Sequence, residues 1–156
     1  MTPQVTIFQN IRDTAAPFFR DVSIILERVK DGATKELVKK IRLEKSKGER
    51  NELKKQLPAI CFSGKFNKRS DNSIIEHSGL ICLDFDGYTK QKELLQDKEN
   101  LCKNKYVYSV FISPSGNGLK VLVKIPADVD NHVNYFNSLE KQFNSTYFDK
   151  TSKNLS

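Results

Sequence analysis

The chain has 156 residues, 38% of them hydrophobic and 29% charged. That is enough apolar material for one core and too little chain for two ordinary domains. A net charge of +7 and an isoelectric point near 9.3 favour a polyanionic partner, either nucleic acid or a phosphorylated substrate. No run of about 18 apolar residues and no basic-then-apolar leader occurs in these residues, so the expectation is a soluble cytoplasmic protein that does not enter a membrane.

In chain order, Val5 to Phe8 is rich in β-formers and predicts a first strand. Thr14 is a candidate cap for a helix with Pro17 in its first turn, and Phe18, Val22, Ile25, Leu26 and Val29 follow at helical spacing up to Asp31-Gly32. Thr34 opens a second helix with Leu37, Val38 and Ile41 inward, and a third runs from about Glu49 to Leu57, ending at Pro58. Lysines and arginines crowd the segment from Arg28 to Lys55, but acidic residues are interspersed, as on a solvated helical surface. Ala59 to Phe62 then reads as a strand, followed by Ser63-Gly64 and a basic loop holding Lys65, Lys68 and Arg69.

Leu80 to Gly87 is an apolar strand interrupted by two carboxylates. Alternation puts Ile81, Leu83 and Phe85 on one face and Cys82, Asp84 and Asp86 on the other. Two like charges at adjacent same-face positions repel unless a cation lies between them, and a divalent ion is one answer. A strand end with an Asp86-Gly87 turn is the other. Lys90 to Cys102 predicts a helix with Leu94, Leu95, Leu101 and Cys102 on one side.

Tyr106 to Ile112 and Leu119 to Ile125 flank the turn-forming stretch Ser113-Pro114-Ser115-Gly116-Asn117-Gly118, which predicts a β-hairpin with Lys120 and Lys124 on one face. Asp130 is a candidate cap for a last helix through Val133, Phe136, Leu139 and Phe143. The fold class expected is α+β, a single domain with a helical part over 1–57 and a mainly antiparallel sheet over 58–156.

Cys61, Cys82 and Cys102 lie in or beside apolar runs without metal-ligand spacing, and read as reduced core thiols. With only His77 and His132 available, any bound metal has to be held by oxygen. Glycines and hydroxyls at Ser113 to Gly118, followed by Lys120, are the ingredients of a phosphate-holding loop, though not with Walker-type spacing.

The apolar-Asp-apolar-Asp strand, the helix after it and the hairpin Ser-Pro-Ser-Gly-x-Gly-Leu-Lys-Val-Leu-Val together resemble the archaeo-eukaryotic primase and primase-polymerase superfamily. With Phe62-Ser63-Gly64 and His77-Ser78-Gly79-Leu80 upstream, the stretch from Pro58 to Asp149 resembles the primase-like domain at the N-terminus of VirE-type proteins of Bacteroidetes and their mobile elements. The resemblance implies an RRM-like sheet and metal-dependent nucleotidyl transfer in DNA replication or mobile-element maintenance. It implies Mg²⁺ or Mn²⁺ held by Asp84, Asp86 and Asp149. It also implies a nucleoside triphosphate held by Ser113, Ser115, Gly116, Gly118 and Lys120.

Lys65, Lys68 and Arg69, or the basic helical segment before them, are the candidate contacts to a single-stranded DNA template, and a helicase or ATPase, fused or separate, is the implied partner. The resemblance further implies a domain continuing past Ser156. Most members carry histidine at the position of Lys120, which keeps a cation but loses a planar donor here. Two rivals stand beside this reading. One is a non-catalytic nucleotide- or nucleic-acid-binding module. The other is a haloacid dehalogenase-type phosphatase with Asp84 as nucleophile, against which count Tyr88 after Gly87 and the antiparallel pattern downstream.

Overall fold

A computed structural model describes residues 2–156. The chain is α+β, with five α-helices among the described residues and antiparallel sheets. It divides into two compact units, one reaching Ser78 and including Ser156, the other Gly79–Leu155. The division falls after Ser78 and not after residue 57, because the strands between these points pair with the N-terminal strand or with each other.

In the first unit β1 (Gln4–Phe8) is the central strand, flanked by β2 (Phe18–Asp21) and β3 (Ala59–Cys61), both antiparallel to it. The helix expected from Thr14 therefore begins later, as α1 (Val22–Lys30). Phe18 and Val22 keep helical spacing, but Phe18 to Asp21 bond the edge of β1 in the register Ile7↔Phe18. Local periodicity cannot see that distant edge. Helices α2 (Lys35–Leu43) and α3 (Lys47–Lys54) follow, the latter capped by Ser46, whose Oγ accepts from the Glu49 N–H.

The hairpin of β4 (Gly64–Phe66) and β5 (Ile74–His77) completes this unit, with a short 3₁₀ turn at Asp71–Ser73. Buried Thr6 ties β1 to β4: its Oγ1 donates to the Gly64 carbonyl and accepts from the Phe66 N–H, both at 2.9 Å.

The second unit runs β6 (Leu80–Asp86), α4 (Gln91–Cys102), β7 (Val107–Ile112), β8 (Gly118–Lys124) and α5 (His132–Phe143). β8 lies between β6 and β7, antiparallel to both. The free edge of β6 is taken by residues 147–149. Phe85 bridges Phe148, the Asp86 N–H donates to the Tyr147 carbonyl at 2.7 Å, and the Asp149 N–H donates to the Asp84 carbonyl at 2.8 Å. The path is thus β-α-β-β-α with a short final strand-like edge, in the spatial order 147–149, β6, β8, β7.

One sheet face carries the core, in which Ile81, Leu83, Phe85, Leu119, Val121 and Val123 cluster with residues of α4 and α5. Phe148 meets Phe85 and Phe136 edge to face at 5.5 and 5.2 Å. Two helix details depart from expectation. In α4 only Leu94 and Leu101 are buried, while Leu95 and Cys102 are exposed. In α5 His132 is buried and Val133 exposed, and the turn before the helix is held by Asp128, whose Oδ1 accepts from the N–H groups of Asp130 and Asn131.

The Thr6 staple gives a direct test. Thr6→Val keeps the shape and strands the Gly64 carbonyl and Phe66 N–H, at a cost of about 1–3 kcal/mol for each stranded group. Urea unfolding is expected to show the loss as a lower midpoint, and an unchanged midpoint would remove Thr6 from the account.

Candidate functional site

The strongest candidate lies on the sheet face opposite the core of the second unit. Alternation along β6 sends Cys82, Asp84 and Asp86 to this face, as the sequence predicts, since Ile81, Leu83 and Phe85 are all in the core. The register with β8 then decides what meets them: Asp84 stands opposite Lys120, and Asp86 opposite Gly118. Phe111 of β7 continues the row beyond Lys120.

Lys120 Nζ donates to Asp84 Oδ1 at 2.6 Å, with the two side chains 34% and 23% exposed. The pair is half-buried, so the attraction is stronger than for a surface ion pair, and each partner also offsets the other's desolvation. Burial works against the ammonium. The charges of Cys82, Asp84 and Asp86 and the Asp84 hydrogen bond outweigh it and hold the Lys120 pKa above its ordinary value. Burial pushes the Cys82 thiol up to about 12, so its charge acts on Lys120 only at strongly alkaline pH, and at neutral pH the ammonium faces Asp84 and Asp86.

At the end of β6, Asp86 rests on a glycine that the sheet requires. A Cβ on Gly118 would lie 2.3 Å from Asp86 Oδ1, 2.8 Å from the Phe85 carbonyl oxygen and 3.1 Å from Ser113 Oγ. Asp86 and the buried Ser113 hydroxyl are therefore both within reach of the first residue of β8. Gly87 turns the chain with φ +88°, and the Tyr88 N–H donates to the Asn117 carbonyl at 3.1 Å, tying the end of β6 to the hairpin loop.

The loop itself is closed inward. The Ser113 N–H donates to the Gly118 carbonyl and the Gly116 N–H to the Ser113 carbonyl, with Gly116 at φ +82°. In this conformation the Gly116 amide expected to face a phosphate is engaged within the turn.

Asp149 reaches the same neighbourhood through the edge pairing, opposite Asp84 across the Phe85–Phe148 bridge. Its Oδ1 accepts from the Thr151 N–H and hydroxyl at 2.9 and 2.7 Å, the arrangement of a turn-forming aspartate. Among the described residues no three His, Cys, Asp or Glu side chains are gathered to hold a metal ion. With Lys120 on Asp84 and Asp149 turned to Thr151, these residues as they stand do not offer a divalent cation its ligands.

The basic residues singled out for a template belong to the first unit. Lys65 lies in β4 and pairs with Glu76 of β5, and Arg69 donates to the Ile11 carbonyl at 3.1 Å, so both have local structural partners. Lys68 is exposed.

Sequence reasoning missed the buttress beside the site. The Tyr88 and Tyr147 rings stack with centroids 3.9 Å apart, the Tyr88 hydroxyl donates to Asp97, and the Tyr147 hydroxyl to Glu93. Burial and the Asp97 hydrogen bond push the Tyr88 pKa far up, so its hydroxyl stays protonated and keeps donating. Helical spacing of Glu93 and Asp97 on α4 was the available signal, but it names no partner.

Residues 52–154 match the family described as BT4734-like, N-terminal domain. The chain belongs to this family. No curated protein and no solved structure matches the chain. The BT4734-like stretch takes in β3 through Asp149, and with it every candidate site residue named above.

Gly118 supplies the test of this geometry. Gly118→Ala drives a methyl into the Phe85 carbonyl and the Asp86 carboxylate, and overpacking of this kind costs about 1–3 kcal/mol. The expected result is a lowered unfolding midpoint. The Asp86 carboxylate can swing aside but the Phe85 carbonyl cannot, so a variant as stable as the parent would show that the β6 and β8 backbones do not approach this closely at Phe85 and Gly118.

Proposed function

We propose that Gly79–Leu155 of this BT4734-like domain is a primase-polymerase-like core that binds the phosphates of a nucleotide at Lys120 and the Ser113 to Gly118 loop. The β-α-β-β-α path with a final edge at 147–149 supports this, because it is the path of ferredoxin-like and RNA-recognition folds. The observation that carries the reading is the row formed by Asp84, Lys120 and Asp86 at the mouth of a glycine-containing hairpin loop. A lysine flanked by carboxylates and next to a small-residue turn is chemistry for polyphosphate, since the lysine is a point charge on a flexible stem.

A nucleic-acid partner, single-stranded DNA in the first instance, fits the charge of +7. Further support comes from two lysine–tyrosine pairs at the start of β7 and the end of β8. Lys105 Nζ is 5.0 Å from the centre of the Tyr106 ring, and Lys124 Nζ is 5.7 Å from that of Tyr108. Aromatic rings beside cations are the elements of single-strand binding, with bases stacking and phosphates paired.

The ion pair on Asp84 favours binding over chemistry in the ligand-free protein. Metal-dependent nucleotidyl transfer is the second reading, favoured by the placement of Asp84, Asp86 and Asp149 on neighbouring strands; it requires Mg²⁺ or Mn²⁺ and an Asp84 freed from Lys120. Mg²⁺ is commonly held by one or two carboxylates together with substrate phosphates, so a tight all-protein cage is not a requirement. A haloacid dehalogenase-type phosphatase fits less well, because β6 has antiparallel neighbours on both edges and offers no parallel-sheet crevice beyond Asp84.

Calorimetric titration with a nucleoside triphosphate separates these readings from a merely structural ion pair. Binding is expected, weakening as salt rises, and Lys120→Ala is expected to lower the affinity about tenfold, or 1.4 kcal/mol. Template-directed incorporation with Mn²⁺ that is abolished by Asp84→Ala would add turnover. Absence of triphosphate binding by the parent protein would overturn the proposal.

A further inference from the structure

A divalent cation and the Lys120 ammonium compete for one place. Asp84 Oδ1 already accepts a 2.6 Å charge-assisted hydrogen bond from Lys120, and the covalent tether keeps that cation within reach of the carboxylate. The cross-strand register Asp84↔Lys120 is part of a seven-residue pairing of β6 with β8, so the lysine backbone cannot drift away from the carboxylate. Its side chain can: four methylenes allow the ammonium to swing while the strand stays fixed. An incoming divalent ion would meet both the repulsion of an adjacent ammonium and the cost of breaking a half-buried ion pair.

A phosphate group, in contrast, is attracted to that ammonium and repelled by Asp84 and Asp86. It would draw Lys120 outward and leave Asp84 to seek a new cation.

We propose that Lys120 is a built-in counter-cation that keeps divalent metal off Asp84 in the ligand-free protein, and that phosphate binding releases Asp84 by taking Lys120 over. The inference deepens the nucleotide reading above, and rests on it only for the identity of the group that takes Lys120 away. It makes Lys120 a positioning residue that sets the order of binding, phosphate before metal. By linkage the two ligands then favour each other. It also accounts for a lysine facing the acidic strand: here the cation is supplied by the chain, and the metal becomes conditional.

The test uses the whole chain and two binding measurements that need no turnover. First, Mn²⁺ is titrated without nucleotide and free Mn²⁺ is read by electron paramagnetic resonance. Lys120→Met and Lys120→Gln are expected to bind Mn²⁺ about tenfold or more tighter than the parent, a difference of 1.4 kcal/mol. Adding Asp84→Asn to Lys120→Met is expected to abolish the gain. Second, ATP is titrated in EDTA. Asp84→Asn is expected to tighten binding in the parent, because Lys120 is set free, and to do so much less in the Lys120→Met background.

Equal Mn²⁺ affinity in the parent and both folded Lys120 variants overturns the counter-cation proposal, even if ATP binds normally. An equal effect of Asp84→Asn in both backgrounds overturns the release step, since the two residues would then be uncoupled. If no protein binds ATP in EDTA or with Mn²⁺, the nucleotide reading falls while the Mn²⁺ comparison alone decides whether Lys120 excludes metal.

Discussion

The site depends on one constraint, the register of β6 against β8. Because side chains alternate, the register that puts Ile81, Leu83 and Phe85 against Leu119, Val121 and Val123 in the core also sets Asp84 opposite Lys120 and Asp86 opposite Gly118. A slip of one residue would turn the apolar set away from α4 and α5 and scatter the charged row. Burial of six aliphatic and aromatic side chains therefore fixes an arrangement of three charges. The core also sets the limit on Gly118, since no Cβ fits between the Asp86 carboxylate and the Phe85 backbone.

Around that row the second unit behaves as a frame. Phe148 docks on Phe85 and Phe136, which carries residues 147–149 onto the free edge of β6 and brings Asp149 level with Asp84. Tyr88, stacked on Tyr147 and bonded to Asp97, fixes the turn after Asp86, and its backbone holds the hairpin loop through Asn117. The result is a site closed on itself, with the ammonium on a carboxylate and the loop amides on loop carbonyls. Any ligand has to exchange these bonds for its own, so under the proposed reading phosphate competes with groups already in place.

Much of this was legible in the sequence because it is local. The alternation at Leu80 to Asp86 and Leu119 to Lys124, the turn-forming Ser113 to Gly118 and the helix after Gly87 are all period and propensity signals, and each lies where the sequence puts it. What was not legible depends on distant partners. Phe18 to Asp21 looks helical by its own spacing and becomes a strand because the edge of β1 is open to it. Lys65 and Arg69 read as free cations, yet Glu76 and the Ile11 carbonyl engage them. Asp84 and Lys120 were each visible as candidates, for metal and for phosphate, but only the register shows that they hold each other.

The most direct test is a crystal structure of the chain with a non-hydrolysable nucleoside triphosphate. The account predicts the triphosphate at the Ser113 to Gly118 loop, with Lys120 Nζ moved from Asp84 onto a phosphate oxygen. A triphosphate bound elsewhere, or bound at the loop with the Lys120–Asp84 pair intact, would contradict it.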